Sequence, residues 1–180
     1  MLRSPLEKCF RGLIFRRLSW PLLGVVALSL FVLRPALGDG KAVIGWIERV
    51  SIYPGSLVLH AKVDTAADHS SLHVTDIQPV SRNGHRWVRF KALNRQGEAI
   101  LFECRVLKTA RIKRKGLGPQ KRYVVNMGIC LGKVFKEVPV NLEDRTGFKF
   151  HMLVGRSFLK DSFVVDPSLK YTREPACKIE

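Results

Sequence analysis

Short apolar segments with a two-residue period, separated by turn residues, constrain the fold of this chain more than any other feature. In residues 56–64 every second side chain is apolar, which places these side chains on one face of an extended strand. They are Leu57, Leu59, Ala61 and Val63. Turn signals recur roughly every ten residues, and helical periodicity is scarce. The pattern predicts a small all-β barrel or sandwich.

The same pattern predicts the other elements of the domain. We expect one hairpin around the turn at 94–99, a second around Gly132-Lys133, and one short helix at 155–161. The expected strands are 42–52, 56–64, 85–93, 100–108, 122–131, 134–143, 148–154 and 162–167. The sequence contains no internal repeat and no low-complexity stretch, so these strands are expected to form one domain.

The first forty residues differ in composition from the rest of the chain. A basic leader is followed by an uncharged apolar run at 18–33 and by a small-x-small site at 36–38. The run is shorter than the roughly 20 residues of a typical bilayer span, whereas leader, run and site together have the order of a secretory signal. Residues 1–38 are therefore expected to be a helical signal peptide or an uncleaved membrane anchor. Both alternatives export residues 41–180.

The excess of basic residues favours anionic partners. The chain has 31 lysines and arginines against 15 acidic residues, a formal net charge of +16. Eight of the basic residues, and no acid, lie in the segment Arg105–Arg122. This segment is either a solvated loop between hairpins or a docking patch for an anionic polymer or for lipid headgroups. No aromatic residue alternates with its charges, so no nucleic-acid partner is expected.

The cysteines limit the covalent cross-links. Cys9 belongs to the leader, which leaves Cys104, Cys130 and Cys177 in the exported part. Three cysteines allow at most one disulfide and leave one free thiol, and their pairing stays open. The absence of a Cys-x-x-Cys pair argues against a zinc ribbon or a thioredoxin-like site.

The chemistry is expected where the strand at 56–64 ends. Asp64 and Thr65 follow the strand directly and are succeeded by small residues, so the carboxylate lies at a tight bend. An Asp-Thr pair alone is weak evidence, because most such pairs are turns. His69 and His73 are four residues apart, but no acid or third histidine follows at a suitable spacing, so no metal site is expected. Motifs for ATP and for catalytic zinc are also absent, and no cofactor is expected.

A second stretch, Leu153-Val154-Gly155-Arg156, gives the Asp64 motif its context. Together the two resemble the retropepsins, single-domain aspartic proteases in which an apolar strand ends in Asp-Thr/Ser-Gly and a later apolar-apolar-Gly segment packs beneath that loop. The match is closer to an exported bacterial family that has carried the label of ATP-dependent zinc protease. The stretches similar to that family are 44–46, 61–65, 70–73, 140–147, 153–156 and 164–171.

The resemblance implies a fold and a division of the chain. The expected domain, residues 41–171, is a closed retropepsin-like β-barrel, a single acid-protease lobe with one short C-terminal helix. The segment 172–180 is expected to be an irregular tail. For a bacterial member, export would mean the periplasm, with attachment to the inner membrane if the leader is retained.

The resemblance also implies a mechanism. Aspartic proteolysis needs two carboxyl groups that share one proton, and this chain has a single Asp-Thr motif. An aspartic endopeptidase acting on peptide or protein substrates would therefore form its dyad from Asp64 and its copy in a homodimer. Thr65 would brace the loop against the partner, and residues 87–104 would form a flap over the substrate. Leu153, Val154, Gly155 and Arg156 would support the catalytic loop.

One residue departs from the family pattern. The third motif residue is normally glycine, and here it is Ala66, which keeps the N–H that would bond the carboxylate but adds a methyl group. The alternative function is therefore a catalytically inactive binding module of the same fold that holds an acidic periplasmic partner. Asp68 is too close in sequence to Asp64 to be a second acid, and Asp144 and Asp166 are interpreted as turn residues.

Overall fold

The computed structural model describes residues 40–114 and 117–178. Within them the chain forms ten strands and one short helix. They are β1 Ala42–Gly45, β2 Ile47–Tyr53, β3 Leu57–Val63, β4 Ser70–Arg82, β5 His85–Leu93, β6 Ala99–Arg114, β7 Leu117–Leu131, β8 Val134–Glu143, β9 Met152–Val154, α1 Arg156–Leu159 and β10 Phe163–Asp166. The expected signal or anchor helix at 1–38 lies outside the described residues. None of the helices in the described part is long and apolar enough to cross a membrane.

The strands form two sheets. Eight strands are joined in the order β2-β3-β9-β4-β5-β6-β7-β8, with additional β2–β7 and β4–β8 pairings that fold the sheet onto itself, and β1 pairs with β10 separately. The predicted all-β class is confirmed, but the predicted closed barrel is wrong. The reason lies in β4, whose first residues pair with β8 and β9, whereas the part after Val74 pairs with β5 in a second ladder.

The alternating pattern at 56–64 forms β3 as predicted. Its apolar face is buried, with Leu59 and Ala61 almost inaccessible to solvent, while Val58 and Lys62 on the other face are exposed. β3 lies between two partners, antiparallel to β2 and parallel to β9. The parallel pairing with β9 brings the end of β3 next to a segment from far along the chain.

Several expected elements have different boundaries, and β4 was not among the expected strands. The expected strand 42–52 is two strands, because at Trp46 the chain passes from the ladder with β10 to the ladder with β3. The segment Arg105–Arg122 is not a loop between hairpins, since Val106–Arg114 and Leu117–Arg122 pair as the arms of the β6–β7 hairpin. The segment was not predicted as strand because its many basic side chains interrupt the apolar alternation from which strands are predicted.

The C-terminal segment has no helix or strand after β10 up to residue 178, where the described part ends, and it is fixed to the domain. Cys177 forms a disulfide with Cys130 of β7, which leaves Cys104 as a free thiol. The fully buried carboxylate of Glu48 in β2 accepts hydrogen bonds from the backbone N–H groups of Thr172 and Arg173 at 2.8 and 3.3 Å. The tail is therefore a packed part of the structure.

Candidate active site

The Asp64 loop, residues 64–69, begins where β3 ends. The N–H of Asp64 donates to the carbonyl of Val154 in β9 at 2.9 Å, which continues the parallel ladder by one step. The carbonyl of Asp64 accepts from the N–H of Ala67 at 3.3 Å, so the chain turns at once. The carboxylate accepts a hydrogen bond from the N–H of Ala66 at 3.1 Å. No ion pair to Asp64 occurs among the described residues, so its other oxygen is available.

Gly155 lies directly beneath this loop. A Cβ atom at this position would stand 2.7 Å from the carbonyl carbon and oxygen of His69 and 3.0 Å from the carbonyl oxygen of Ala67. These are backbone atoms that cannot rotate away, so only glycine fits. The N–H of Gly155 donates to Oγ of the buried Ser70 at 3.2 Å. The structure thus brings the two sequence motifs into contact.

Arg156 binds the loop from its other side. Its guanidinium donates to the carbonyl of Thr65 at 2.9 Å and to that of Ala66 at 2.7 Å, and it forms an ion pair with Asp68. Its backbone N–H donates to the carbonyl of Ala67 at 2.9 Å. The carbonyl groups of the loop are therefore satisfied by the β9–α1 junction, and the carboxylate of Asp68 is engaged.

Asp64 contributes to the wall of a cavity of about 530 Å³. The wall has three aromatic side chains, from Trp46, Phe148 and Phe150, and three basic ones, from Lys62, Arg145 and Lys149. Glu143 and Leu153 complete it. A peptide can bury apolar groups against the rings and place acidic groups near the cations.

Among the basic residues of the wall, Arg145 is fixed most firmly. It is buried, its Nε donates to the carbonyl of Phe150 at 3.0 Å, and its guanidinium lies over the ring of Phe148 at 4.7 Å. Glu143 pairs with Arg145 at 3.3 Å and also with Arg122. Lys62 and Lys149 have no acidic partner among the described residues, so they supply the unbalanced charge of the cavity.

The two histidines considered as metal ligands do not meet. The ring of His69 contacts the ammonium group of Lys108 at 3.4 Å. His73 is not at the end of a loop but buried within β4, where its Nδ1 accepts from the N–H of Arg145 at 2.8 Å. Within 40–114 and 117–178 no group of three or more potential ligands is close enough to hold a metal ion.

A histidine pair, in which His73 is buried and His151 is half-buried, stands behind the cavity wall. The ring centroids of His73 and His151 are 4.7 Å apart. Burial is the main cause that lowers the pKa of His73 below its ordinary value, and His151 adds to it. A proton on Nδ1 of His73 would also break the hydrogen bond that this atom accepts from the N–H of Arg145. These contacts favour the neutral form of His73.

The hairpin expected as a flap, residues 87–104, reaches only the rim of the cavity. Its turn is organised by Asn94, and Arg95 donates to the carbonyl of Lys149. None of its residues is part of the cavity wall. The contact to the Asp64 loop comes instead from Lys108 in the β6–β7 hairpin.

Other acidic residues have the positions expected from the sequence. Asp144 accepts from the N–H and hydroxyl of Thr146, and Asp166 does the same with Ser168. These hydrogen bonds lower the pKa of both carboxyl groups. Their interpretation as turn residues is confirmed.

Sequence reasoning missed most of the cavity wall. Trp46, Lys62, Arg145 and Phe148 were not candidates, because they lie on different elements and none carries a catalytic motif. Two signals were available: Trp46 and Arg145 fall in stretches that carry the family resemblance, and Lys62 precedes Asp64 by two residues. Only the folded chain shows that these stretches surround one cavity.

Comparison with known proteins shows a family that the sequence of this chain matches. The model of the RimB-like family, described as "Retropepsin-like aspartic endopeptidase RimB", matches residues 43–176. The match includes both the Asp64 loop and the β9–α1 junction beneath it.

Curated relatives and a solved structure are also similar. A protein of Shewanella pealeana named "Probable alpha-L-glutamate ligase" is 34% identical over 137 residues, which cover 73% of this chain and 30% of that protein. A protein of the same name from Desulfotalea psychrophila is 30% identical over 135 residues, covering 72% of this chain and 29% of that protein. The chain thus spans about 30% of the length of these relatives. A Legionella pneumophila protein of unknown function has a similar structure, with a TM-score of 0.65, 31% identity and coverage of 74% of this chain and 98% of that one.

Proposed function

Because the chain belongs to the RimB-like family of retropepsin-like aspartic endopeptidases, we propose that it hydrolyses peptide bonds with an aspartate dyad built from Asp64 and its copy in a homodimer. The observation that carries the proposal is the state of the Asp64 carboxylate. It lies in a loop fixed by backbone hydrogen bonds, accepts one N–H, and forms part of a cavity wall. Support for the loop comes from Leu153, Val154, Gly155 and Arg156.

The chemistry requires a second carboxyl group. Two carboxyls about 3 Å apart cannot both ionise, so they share one proton. The ionised one removes a proton from water as the water attacks the amide carbon, and the protonated one donates to the carbonyl oxygen. Within the described part of the chain, Asp68 is engaged by Arg156, and Asp144 and Asp166 are engaged in turns. Glu143, the other acid of the cavity wall, is paired with two arginines. The second carboxyl is therefore assigned to another copy of the chain.

The surface beside the Asp64 loop supports such a partner. A largely apolar recess of about 320 Å³ is formed by Thr65, Arg156, Leu159, Lys160, Phe163 and Val165. Thr65 is exposed at its edge, where it would brace the loop against the partner. A homodimer that meets here would bury this recess and bring the two loops together.

The charge of the cavity and the names of the relatives support an acidic peptide as the substrate. Lys62 and Lys149 in the wall have no acidic partner among the described residues. The curated relatives that contain a similar domain are named glutamate ligases, so a glutamate-containing peptide is a substrate that matches both observations. The ligase activity of the relatives belongs to proteins more than three times as long as the matched part, and it is not assigned to this chain.

The setting of Ala66 supports this function over the inactive binding module. The N–H of Ala66 donates to the carboxylate of Asp64 at 3.1 Å, as a glycine there would. The residue is exposed, and its φ is not among the positive values of the described chain. The extra methyl group is therefore accommodated, which favours the active enzyme.

Export to the periplasm belongs to the same proposal. The Cys130–Cys177 disulfide supports it, because disulfides persist in oxidising compartments. The leader at 1–38 would direct the export, as a signal peptide or as an anchor in the inner membrane.

Replacement of Asp64 by asparagine tests the proposal. We expect Asp64→Asn to lower the rate of cleavage of an acidic peptide library by at least about a thousandfold, as for loss of an essential acid–base group. Asp161→Asn is a matched control, because this exposed aspartate has a positive φ of 68° that asparagine also adopts. An Asp64→Asn enzyme as active as the wild type would refute the assignment.

A second measurement tests the dimer separately. Mixing Asp64→Asn with wild-type chains should reduce the activity more than in proportion to the wild-type fraction, because each mixed dimer lacks one carboxyl. Activity that follows the wild-type fraction linearly, from a protein that sediments as a monomer, would contradict the shared dyad.

A further inference from the structure

A second recess lies between the β4–β5 hairpin and β7. Its volume is about 290 Å³, and it is lined by residues that include Val80, Arg86, Trp87, Lys121 and Tyr123. None of its residues lines the Asp64 cavity. The recess is therefore a separate feature, and the proposed peptidase chemistry does not use it.

The recess carries unbalanced positive charge. Arg86 and Lys121 have no acidic partner among the described residues. Glu103 is the acid on the neighbouring strand, and it is already engaged by Arg82 at 2.8 Å and by Arg89 at 2.9 Å. An anionic ligand would therefore find two cations at this recess that no acid neutralises.

The aromatic side chains give the recess an apolar floor and one unmet donor. Trp87 and Tyr123 contribute their rings. The indole N–H of Trp87 is buried and has no acceptor in the described part of the protein. Buried donors are normally paired, so an acceptor that enters with a small rotation of the indole would gain a hydrogen bond there.

The arrangement distinguishes between classes of anionic partner. Arg82 lies over the ring of Trp87 at 5.6 Å, and Lys121 lies over the ring of Tyr123 at 5.9 Å. These cations occupy ring faces on which the bases of a nucleic acid would stack. A recess of this size accepts one side chain, whereas a lipid surface is bound by cations that project from a convex or flat face.

We propose that this recess docks an acidic peptide segment that carries one large apolar side chain. The apolar side chain would enter between Trp87 and Tyr123, and flanking carboxylates would pair with Arg86 and Lys121. The docked segment would be bound away from Asp64, so a protein partner or a long substrate could occupy both places at once.

Fluorescence anisotropy with a labelled peptide tests the docking. The probe is fluorescein-Glu-Glu-Leu-Glu-Glu, titrated with the full chain carrying Asp64→Asn, so that cleavage plays no part. The double variant Arg86→Gln/Lys121→Gln should weaken binding roughly tenfold, as expected for the loss of two exposed charge pairs. The control Lys133→Gln/Lys178→Gln removes the same charge elsewhere and should leave the affinity within about twofold.

Further probes examine each part of the proposal. Replacing the leucine of the peptide by serine, and Trp87→Phe in the protein, should each weaken binding several-fold. The proposal is overturned if the control variant loses as much affinity as the recess variant, or if wild-type affinity is lost only with Lys62→Gln/Lys149→Gln in the Asp64 cavity. It is also overturned if an oligothymidylate or phosphatidylglycerol vesicles bind more tightly through Arg86 and Lys121 than the peptide does. Because the assay needs no catalysis, its failure is independent of the proposed peptidase activity.

Discussion

Glu48 and Asp64 are two carboxylates at neighbouring places of the fold, and they have opposite surroundings. Glu48 lies in β2 opposite Ala61, and Asp64 follows the end of the partner strand β3. Glu48 is fully buried and accepts four hydrogen bonds: from the N–H of Gly45, the N–H and the hydroxyl of Thr172, and the N–H of Arg173. Asp64 is only partly buried and accepts one, from Ala66.

This difference separates a structural carboxylate from an available one. A carboxylate has about four acceptor positions. Those of Glu48 are filled by the chain itself, so the group holds the C-terminal segment and has no capacity left for a ligand. The carboxylate of Asp64 keeps most of its positions open towards a cavity, although its backbone is held firmly. A fixed backbone with an unsatisfied side chain is the arrangement that catalysis requires.

Gly155→Ala should have the largest effect on stability and activity, and it perturbs the Asp64 loop but not the contacts of Glu48. The added Cβ would lie 2.7 Å from the backbone of His69 and 3.0 Å from that of Ala67. Forcing these segments apart should lower the free energy of unfolding by about 3 kcal/mol and displace the loop that carries Asp64. Chemical denaturation and peptidase assays measure the two effects.

Gly118→Ala is the matched control for Gly155→Ala. Among the described residues, a Cβ at Gly118 meets no atom within 4 Å, and the residue has no positive φ. Its free energy of unfolding should remain within about 0.5 kcal/mol of wild type. If Gly155→Ala were equally mild, the Asp64 loop would not be fixed by the close contact that distinguishes it from an ordinary turn.

Glu48→Gln compared with Asp64→Asn tests the contrast directly. Glutamine has nearly the same size but presents an amide NH₂ towards donors that need an acceptor, so Glu48→Gln should cost about 2 kcal/mol of unfolding free energy. Asp64→Asn should change it by less than about 0.5 kcal/mol, since the residue accepts one hydrogen bond and is partly exposed.

Activity should follow the opposite order. Under the proposed function, Asp64→Asn should remove peptidase activity, whereas Glu48→Gln should retain it at temperatures where the variant is folded. Equal losses of stability in the two variants would show that the distinction between a structural and an available carboxylate is wrong.

Local sequence pattern was sufficient for most of the strands and for the turns between them, but it did not predict β4. β3, β5 and β8 were found from alternation and turn residues, and α1 lies within the short helix expected at 155–161. The pattern failed where tertiary pairing decides the outcome. β4 changes partners within one strand, which hydrophobicity does not encode, and β6 and β7 carry basic residues on exposed faces that resemble a loop.

The two motifs of the site were visible in the sequence because each is contiguous. Asp64 and Gly155 were paired by family resemblance, and the structure shows the physical reason in the glycine contact. The cavity wall and the role of Glu48 were not visible. A buried glutamate that binds the C-terminal segment 124 residues away has no local signature, and the disulfide of Cys177 depends on the same long-range approach.

Two histidines, one near Asp64 and one near the contacts of Glu48, should make the stability of the protein depend on pH. His73 stands behind the Asp64 cavity, and His60 bonds Tyr171 in the segment that leads to the Glu48 contacts, at 2.9 Å. Burial lowers the pKa of both below the ordinary 6.5. The unfolded chain therefore binds more protons than the folded chain between the lowered pKa and 6.5. Stability should be fully present above pH 6.5 and decrease as the pH falls through that window.

The effect of pH on stability should be larger at His73, near the Asp64 cavity, than at His60, near the C-terminal segment. Protonation of His73 removes an acceptor for the N–H of Arg145 in a buried place, so His73→Gln should flatten the dependence of unfolding free energy on pH more than His60→Gln. Denaturant titrations at half-unit steps from pH 5 to 7.5 measure both slopes. A larger change with His60→Gln would locate the acid-sensitive contact at the tail.

Ala66→Gly should have the smallest effect, and it addresses the only residue of the Asp64 motif that departs from the family pattern. The N–H that donates to Asp64 is retained, and alanine has no strained φ to relieve. Glycine would mainly increase the entropy of the unfolded chain, at a cost of about 0.5–1 kcal/mol. Catalytic efficiency should stay within about threefold of wild type, which corresponds to less than about 0.7 kcal/mol in the barrier.

A gain of a hundredfold or more would instead mean that the methyl group obstructs the approach of the second Asp64 loop. In that case the natural chain would be the binding module, and the open positions of the Asp64 carboxylate would serve recognition rather than hydrolysis.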